Sequence, residues 1–466
     1  MQKFKLWPNQ IEALKFALVH DSTMLDMDMG TGKTLVAINT ILYRKVKYVL
    51  VLCPKSVMSV WEREIMKHGP YPDTEIKVWT AAGKRTVAKK AEAMQQFLSS
   101  TGPETKVCVM NYDIAWREPL RHTITLMLPE MVILDESHRA KAAGSKISRF
   151  LGMLGKVVPY KLCLSGTPMA NSPLDLYGQY RFLDPSIFGT RFDIFREQYA
   201  IMGGPERNFV VGYKNQSSLM TKFRSIAYSC KLDDIKDRLK LPDRLPHQTI
   251  EVELPEKDMK LSRQLAKEFI AQDSEGGTIV LTNVLHKLLR LQQITSGFAV
   301  MQDGPLEDTY TKVMNTAKED ALCDLMQDMP SLARLVVFVV FRHDIEASIR
   351  AADKAKKKAF EVSGKMNQLK AWETFGGVLV VQIQAGAEGI DLTKANNCVY
   401  YSLPTSVALY EQSMARLYRP GQTKPVVFTH LVAKDTIDVD MLYGMENKRS
   451  LFDDFVKGNR SYGFLK

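Results

Sequence analysis

Asp28-Met29-Gly30-Thr31-Gly32-Lys33-Thr34 is the stretch on which the fold turns. It follows a short apolar run and opens a helical pattern. Glycines at such a place let backbone amides approach phosphate oxygens, and the N-terminus of the following helix adds partial positive charge. A lysine there reaches β- and γ-phosphates, and the hydroxyl after it ligates magnesium, which assigns those tasks to Lys33 and Thr34. Met29, Gly30, Thr31 and Gly32 are expected to line the nucleotide. A strict phosphate-loop pattern wants glycine five residues before Gly32, where this chain has Met27. Taken alone, the stretch could also be a plain turn that caps a helix.

About a hundred residues downstream, Met131-Val132-Ile133-Leu134 runs directly into Asp135-Glu136-Ser137-His138. A carboxylate at the end of a buried strand is what magnesium coordination beside a phosphate loop requires. Asp135 is expected to hold the metal through water, and Glu136 to orient or deprotonate the attacking water. Other short, nearly all-apolar runs lie around this pair: Tyr48–Leu52, Val107–Met110 and Leu162–Leu164 in the first part, then Leu335–Phe341, Gly377–Val381, Cys398–Tyr401 and Val426–Phe428. Runs of this kind, each followed by a polar loop, suit parallel sheets covered on both faces. The middle, residues 186–310, lacks them and carries helical patterns such as Leu281–Gln293. Pro242 and Pro246 bracket an expected chain crossing between domains. The fold class that follows is α/β: two parallel-sheet lobes with a helical insertion between them. The expected divisions are 1–185, 186–310 and 311–466.

These residues resemble helicase superfamily two, and more narrowly the SWI/SNF-type translocase ATPases, with Asp-Glu-Ser-His in place of the commoner Asp-Glu-Ala-Asp or Asp-Glu-Ala-His box. The resemblance covers most of the chain, with motifs in the family's order, and implies RecA-like lobes. It gives Gln10, in Leu6-Trp7-Pro8-Asn9-Gln10, the reading of the adenine edge, for which a carboxamide can both donate and accept. Lys55 and Ser56, together with Asn111 and Tyr112, are similar to the family's nucleic-acid contacts. Trp61 reads as core. Ser165 and Thr167, in Leu164-Ser165-Gly166-Thr167-Pro168 with Asn171, match the coupling motif that senses the state of Glu136.

In the last block, Gln384-Ala385-Gly386-Ala387-Glu388-Gly389-Ile390-Asp391-Leu392 looks like the second-lobe loop. The resemblance places Gln384, Ala385 and Gly386 near nucleic acid, and Gly389 and Asp391 near ATP. Many members carry Ser-Thr-Arg where this chain has Gln382-Ile383-Gln384. The stretch Gln412-Ser413-Met414-Ala415-Arg416-Leu417-Tyr418-Arg419-Pro420-Gly421-Gln422 resembles the arginine-finger helix closely. Arg416 and Arg419, three apart, are expected on one side of that helix, contacting ATP and neutralising γ-phosphate charge. Gln412 is grouped with the coupling residues.

The bulk numbers agree with a motor. The chain has 466 residues and a formal net charge of +11, with 45% hydrophobic and 25% charged residues. That size calls for two or three domains, and the positive excess attracts polyanions. No apolar run approaches the roughly 18 residues of a membrane helix, and the first residues lack an apolar secretion signal. Six cysteines without a Cys-x-x-Cys pair read as small core residues in a reducing compartment. The expectation is an ATP-dependent DNA translocase or helicase, using Mg2+ with ATP on duplex or branched DNA. It is short for its class, with no clear recognition module, so a recruiting protein is a possible partner. It is expected to work as a monomer, without a membrane, in the cytoplasm of a bacterial or virus-infected cell, or in a nucleus if eukaryotic. Two alternatives are a strand-separating helicase and the motor of a restriction system, although no nuclease motif is apparent. A third, from outside enzymology, is a nucleic-acid-binding switch that uses ATP only to change shape.

Overall fold

The computed structural model describes residues 6–68, 76–83, 86–102, 104–170, 172–203, 209–274, 281–301, 310–330, 333–386 and 390–447. The chain divides into two compact units, Met1–Lys240 and Leu241–Lys466. The stretch 186–310, expected as one insertion, is therefore shared, its first part going to one unit and the remainder to the other.

In the first unit, strands β1 (Ser22–Met27), β2 (Tyr48–Cys53), β3 (Ile76–Thr80), β4 (Thr105–Asn111), β5 (Met131–Asp135) and β6 (Tyr160–Ser165) alternate with helices. A hairpin of β7 (Ala200–Gly203) and β8 (Phe209–Tyr213) stands apart, and β9 (Ala227–Cys230) returns to the sheet. The order is β3-β4-β2-β5-β6-β1-β9, with every pair parallel. Helices on both faces bury the central strands: Met24, Leu25, Leu50, Val51, Leu52, Val132 and Ile133 are fully buried. This is why those strands read as unbroken apolar runs. Buried rings of Tyr177, Tyr180, Phe188, Phe195, Tyr199 and Phe223 pack the stretch after 185 onto the first unit.

The second unit has a six-stranded sheet: β10 (Gln248–Val252), β13 (Leu335–Val339), β14 (Ala359–Val362), β15 (Val378–Gln382), β16 (Asn397–Tyr400) and β17 (Val427–Ala433). Its order is β10-β17-β16-β13-β15-β14, again all parallel. A separate antiparallel hairpin joins β11 (Phe298–Met301) to β12 (Tyr310–Val313). Leu335, Val337, Val339, Val378, Val380 and Val399 form the core with Leu322, Met326, Ala347 and Ala351 from flanking helices. The helix Leu281–Thr295 belongs to this unit, where the Thr295 hydroxyl donates to Asp438 at 2.8 Å. All six cysteines are free and buried. Among the described residues no helix is long and apolar enough to cross a membrane.

Candidate active site

Three adjacent parallel strands, β5, β6 and β1, end at the same edge of the first sheet, and each carries one of the sequence motifs on the turn that follows it. In parallel sheets such loops beyond the carboxyl ends of strands are where ligands bind. The register pairs Asp135 with Leu164 and Asp26 with Ser165, so the acidic turn, the coupling turn and the phosphate loop are neighbours by construction.

The phosphate loop leaves β1 and enters the helix Lys33–Arg44 through two left-handed glycines, Gly30 at φ 81° and Gly32 at φ 90°. A side chain at Gly32 would be strained by that backbone and would also meet Gln10: an added Cβ would lie 2.2 Å from its Nε2. The loop is closed on itself. The Thr31 hydroxyl donates to the Asp28 carbonyl at 2.6 Å, and the Lys33 ammonium donates to the carbonyls of Met27 at 2.6 Å and Asp28 at 3.2 Å. Burial pulls the Lys33 pKa below the ordinary lysine range, against the opposing attraction of Glu136, Asp135, Asp28 and Asp26. Thr34 is half-buried at the start of the helix.

Gln10 is buried in the first turn of the helix Pro8–Val19. Its Oε1 accepts from the Trp7 amide at 3.0 Å while its Nε2 donates to the Thr31 carbonyl at 3.2 Å, where Asn9 Nδ2 also donates at 3.3 Å. The helix that carries the expected adenine reader is thereby fastened to the phosphate loop.

Asp135 closes β5 and is buried. The Trp61 indole donates to its Oδ2 at 2.7 Å, and the Glu136 amide donates to its Oδ1 at 3.1 Å. Burial first, and then the neighbouring Glu136, push the Asp135 pKa up to about 6. Trp61 is fully buried, as core residues are, yet it has this second task, which its composition-level reading missed. Tyr112 and Asn111 were expected at nucleic acid. Tyr112 is instead buried, and its hydroxyl donates to the Asp135 carbonyl at 2.8 Å. Asn111 is buried with its amide on Asp113 at 3.3 Å. The Tyr112 hydroxyl thereby supports the acidic turn, while Asn111 bonds within its own loop. Lys55 is exposed at the end of β2; the side chain of Ser56 lies outside the described residues.

Glu136 adopts φ 52°, the left-handed region that costs a non-glycine residue about 1–2 kcal/mol. Its Oε2 lies 3.4 Å from His138 Nδ1, and the same ring nitrogen lies 3.5 Å from Ser165 Oγ. Ser165 Oγ accepts from the Thr167 amide at 3.1 Å, and Thr167 is half-buried. His138, the last letter of the acidic box, thus stands between Glu136 and the coupling turn. A second tie was not legible in any motif. Gln179, fully buried in the helix Leu176–Leu183, accepts from the Ser137 hydroxyl at 2.7 Å and donates to the Pro168 carbonyl at 2.7 Å. Gly178 permits this approach, since a Cβ there would lie 2.2 Å from the Ala140 carbonyl oxygen. Asn171 lies outside the described residues.

One further contact joins the phosphate loop to the end of β9. Leu232 donates its amide to Asp28 at 2.9 Å, and Lys231 pairs with Asp28 at 3.3 Å. Asp26 is buried; burial raises its pKa, opposed by Lys231 and by the Ser229 hydroxyl at 2.9 Å.

In the second unit, Gln384 is exposed in a single helical turn, Ile383–Gly386, that follows β15. The side chains of Ala385 and Gly386, and Gly389 itself, lie outside the described residues. The Asp391 carboxylate caps its own loop, accepting from the Thr393 amide at 3.0 Å and hydroxyl at 2.8 Å. The Leu392 amide donates to the Arg416 carbonyl at 3.0 Å, which ties this loop to the arginine segment. The helix Val407–Leu417 carries buried Gln412 and half-buried Arg416 but ends before Arg419. The expectation of both arginines on one helix is therefore corrected: Pro420 disfavours helical backbone at the residue before it. Arg419 is half-buried, and its Nε is buried without a hydrogen-bond partner among the described residues. Gln422 closes the segment, donating to the carbonyls of Ala395 at 2.8 Å and Leu417 at 3.1 Å. Beneath the helix, Tyr410 bonds His430 Nε2 at 2.8 Å, and His430 stacks on Tyr400 with centroids 5.1 Å apart. Burial lowers the His430 pKa to about 3, so the ring is neutral and acts as a fixed hydrogen-bonding wedge.

Magnesium fits the first-unit residues. A hydroxyl at Thr34 and a carboxylate at Asp135 are hard oxygen donors, and a cation would relieve the crowding of Asp135 against Glu136. Among the described residues no group of three or more His, Cys, Asp or Glu could hold a metal alone. That suits an ion bound through one or two protein oxygens plus phosphates and water.

Comparison with known proteins adds to this geometry. A family model described as SNF2-related domain matches residues 9–297, and one described as helicase conserved C-terminal domain matches 317–421. The chain is 25% identical over 475 residues to the DNA annealing helicase and endonuclease ZRANB3 of Bos taurus, covering 96% of this chain and 40% of that protein. It is 25% identical over 450 residues to the putative protein p41 of Acyrthosiphon pisum secondary endosymbiont phage 1, covering 91% of this chain and 92% of that one. The chain spans about two-fifths of the length of the ZRANB3 proteins it matches. Among solved structures, the Sulfolobus solfataricus SWI2/SNF2 ATPase core in complex with dsDNA aligns at TM-score 0.45 and 19% identity, over 98% of this chain and 94% of that one.

Proposed function

Since the chain belongs to the SNF2-related family and joins that domain to a helicase C-terminal domain, it is an ATPase of the helicase type, and we propose that it translocates along duplex or branched DNA. The observation that carries this reading is the delivery of Lys33, Asp135–Glu136 and Ser165 to one sheet edge by three adjacent parallel strands. The net charge of +11 supports a polyanionic track.

Phosphoryl transfer needs positioning and electrostatics more than covalent chemistry. In this reading the β- and γ-phosphates replace the Met27 and Asp28 carbonyls as acceptors for Lys33. Gly30 and Gly32 present backbone amides, and Gln10 reads the adenine edge. Thr34 and Asp135 hold Mg2+, which supplies charge neutralisation on the phosphates when bound. Glu136, fixed in its strained turn, orients the attacking water. Arg416 and Arg419 neutralise charge developing on the γ-phosphate. The chain from Glu136 through His138 to Ser165, reinforced by Gln179, transmits the state of the site toward the nucleic-acid-binding residues.

The deciding experiment is ATP turnover without nucleic acid and with single-stranded DNA, duplex DNA, branched DNA or RNA. Turnover should rise most with duplex or branched DNA, and Lys33→Ala or Glu136→Gln should lower it roughly 10²–10³-fold or more. Near-normal rates in either variant would remove the site assignment. A triplex-displacement assay run beside a strand-displacement assay separates translocation from unwinding.

A further inference from the structure

We propose that a groove on the first unit, apart from the nucleotide-binding turns, holds the phosphodiester backbone of a second nucleic-acid segment; this rests on the proposed DNA-dependent function. The groove encloses about 1030 Å³ between residues 116–121, the helix Lys146–Leu154 and the end of the helix Leu176–Leu183. Arg117, Arg121, Lys146, Arg149, Lys156 and Arg181 line it, with Glu118 as the single acid among its lining residues.

The cations are arranged as a track. Lys146, Arg149 and Met153 share the groove at the three- and four-residue intervals of one helix face, and Lys156 follows in the turn just past the helix end. The helix runs roughly 12 Å, the axial length of between three and four phosphates on one strand. Arg149 and Lys156 are exposed and make no side-chain ion pair or hydrogen bond among the described residues. The Lys146 ammonium and the Arg117 guanidinium lie 4.9 Å and 5.3 Å from the centroid of Trp116, which is half-buried. The indole holds two charges beside each other that would otherwise splay apart.

The floor of the groove is a built feature. Arg181 is fastened by its Nη2 to the Ala143 carbonyl at 3.1 Å and the Ser148 hydroxyl at 2.8 Å. Its Nε is buried without a hydrogen-bond partner among the described residues, and its guanidinium lies 5.6 Å from the Tyr177 ring centroid. Gly152 makes room for it, since a Cβ there would lie 3.1 Å from that Nε. An evenly spaced polyanion suits such a track better than a small acid does. DNA engaged by the motor also presents its own flanking segment at high effective concentration.

The test uses the full chain with Arg117→Ala, Arg149→Ala and Lys156→Ala combined, none of which touches the nucleotide-binding turns. Binding of forked DNA with long arms, followed by fluorescence anisotropy across salt concentrations, should weaken at least about tenfold. The salt slope should fall by about 2–3, at 0.7–0.9 for each of three lost phosphate contacts. ATP turnover without nucleic acid should not change. Single-stranded and duplex arms distinguish which form occupies the groove. In a second measurement, exposed Met153→Cys carries a photo-crosslinker, selective because all six native cysteines are buried. It should label the DNA arm, and polyglutamate should not protect against it. An unchanged slope with no cross-link, or equal protection by polyglutamate, overturns the groove while leaving DNA-stimulated turnover intact. Absence of DNA binding and stimulation in the wild-type chain overturns the functional reading and the groove with it.

Discussion

A carboxylate buried at the end of a central strand stays useful only if something fixes its orientation and offsets the loss of water. For Asp135 that group is Trp61, whose indole N–H reaches Oδ2 from the helix Met58–His68 at 2.7 Å. Partners that hold a metal-binding carboxylate typically affect metal affinity 10–100-fold. Trp61→Phe keeps most of the apolar volume and removes only the donor. The magnesium concentration for half-maximal ATP turnover should therefore rise roughly 10-fold or more, with turnover at saturating magnesium changed much less. A variant that melts earlier but titrates with magnesium like the wild type would reduce Trp61 to a packing residue. Glu136 is constrained in another way, by a left-handed backbone that its surroundings must over-determine. Strain directly after the last residue of β5 fits the water-orienting role proposed for Glu136.

At the scale of elements, the helix Leu176–Leu183 links turns that the sequence shows only separately. Gln179 accepts from Ser137 of the acidic turn and donates to the carbonyl of Pro168 in the coupling turn. Gln179→Leu keeps the size but leaves both partners unsatisfied, at a cost of about 1–3 kcal/mol for each buried group. Beyond stability, it should uncouple the two turns: basal turnover stays within about threefold, while stimulation by DNA falls roughly tenfold, in the range typical of site-to-site coupling. Loss of thermal stability with the stimulated-to-basal ratio intact would make Gln179 structural only. The interior strands β2, β4, β5, β13 and β15 were legible because burial on both faces gave each an apolar central run. The edge strands β3, β9, β10 and β14 were not, because an edge tolerates polar residues such as Lys77, Ser229, Glu251 and Glu361. The phosphate loop, acidic box and arginine segment stood out through glycines and charges at fixed spacing. Gln179, Trp61 and the inward turn of Tyr112 did not, because their partners are brought near only by the sheet order.

At the scale of the molecule, the groups assigned to one reaction are split between two compact units divided after Lys240. Lys33, Thr34, Asp135 and Glu136 belong to the first and Arg416 and Arg419 to the second. If the first unit alone supplies the nucleotide's binding contacts, binding and hydrolysis should separate genetically. Arg419 is the residue to ask, because its Nε is a buried donor without a partner among the described residues, held just past the end of the helix Val407–Leu417. Arg419→Ala leaves the loop from Gly30 to Thr34 untouched, so affinity for a fluorescent ATP analogue should change by less than about threefold. Single-turnover hydrolysis with DNA present should fall by about 10³-fold or more, the usual weight of a transition-state arginine. Arg419→Lys should recover little, because an ammonium lacks the planar fork of donors that spans two phosphate oxygens. Hydrolysis at the wild-type rate in Arg419→Ala would show that the first unit completes the reaction unaided, and the division of labour between the two sheets would have to be redrawn around Arg416 or around neither arginine.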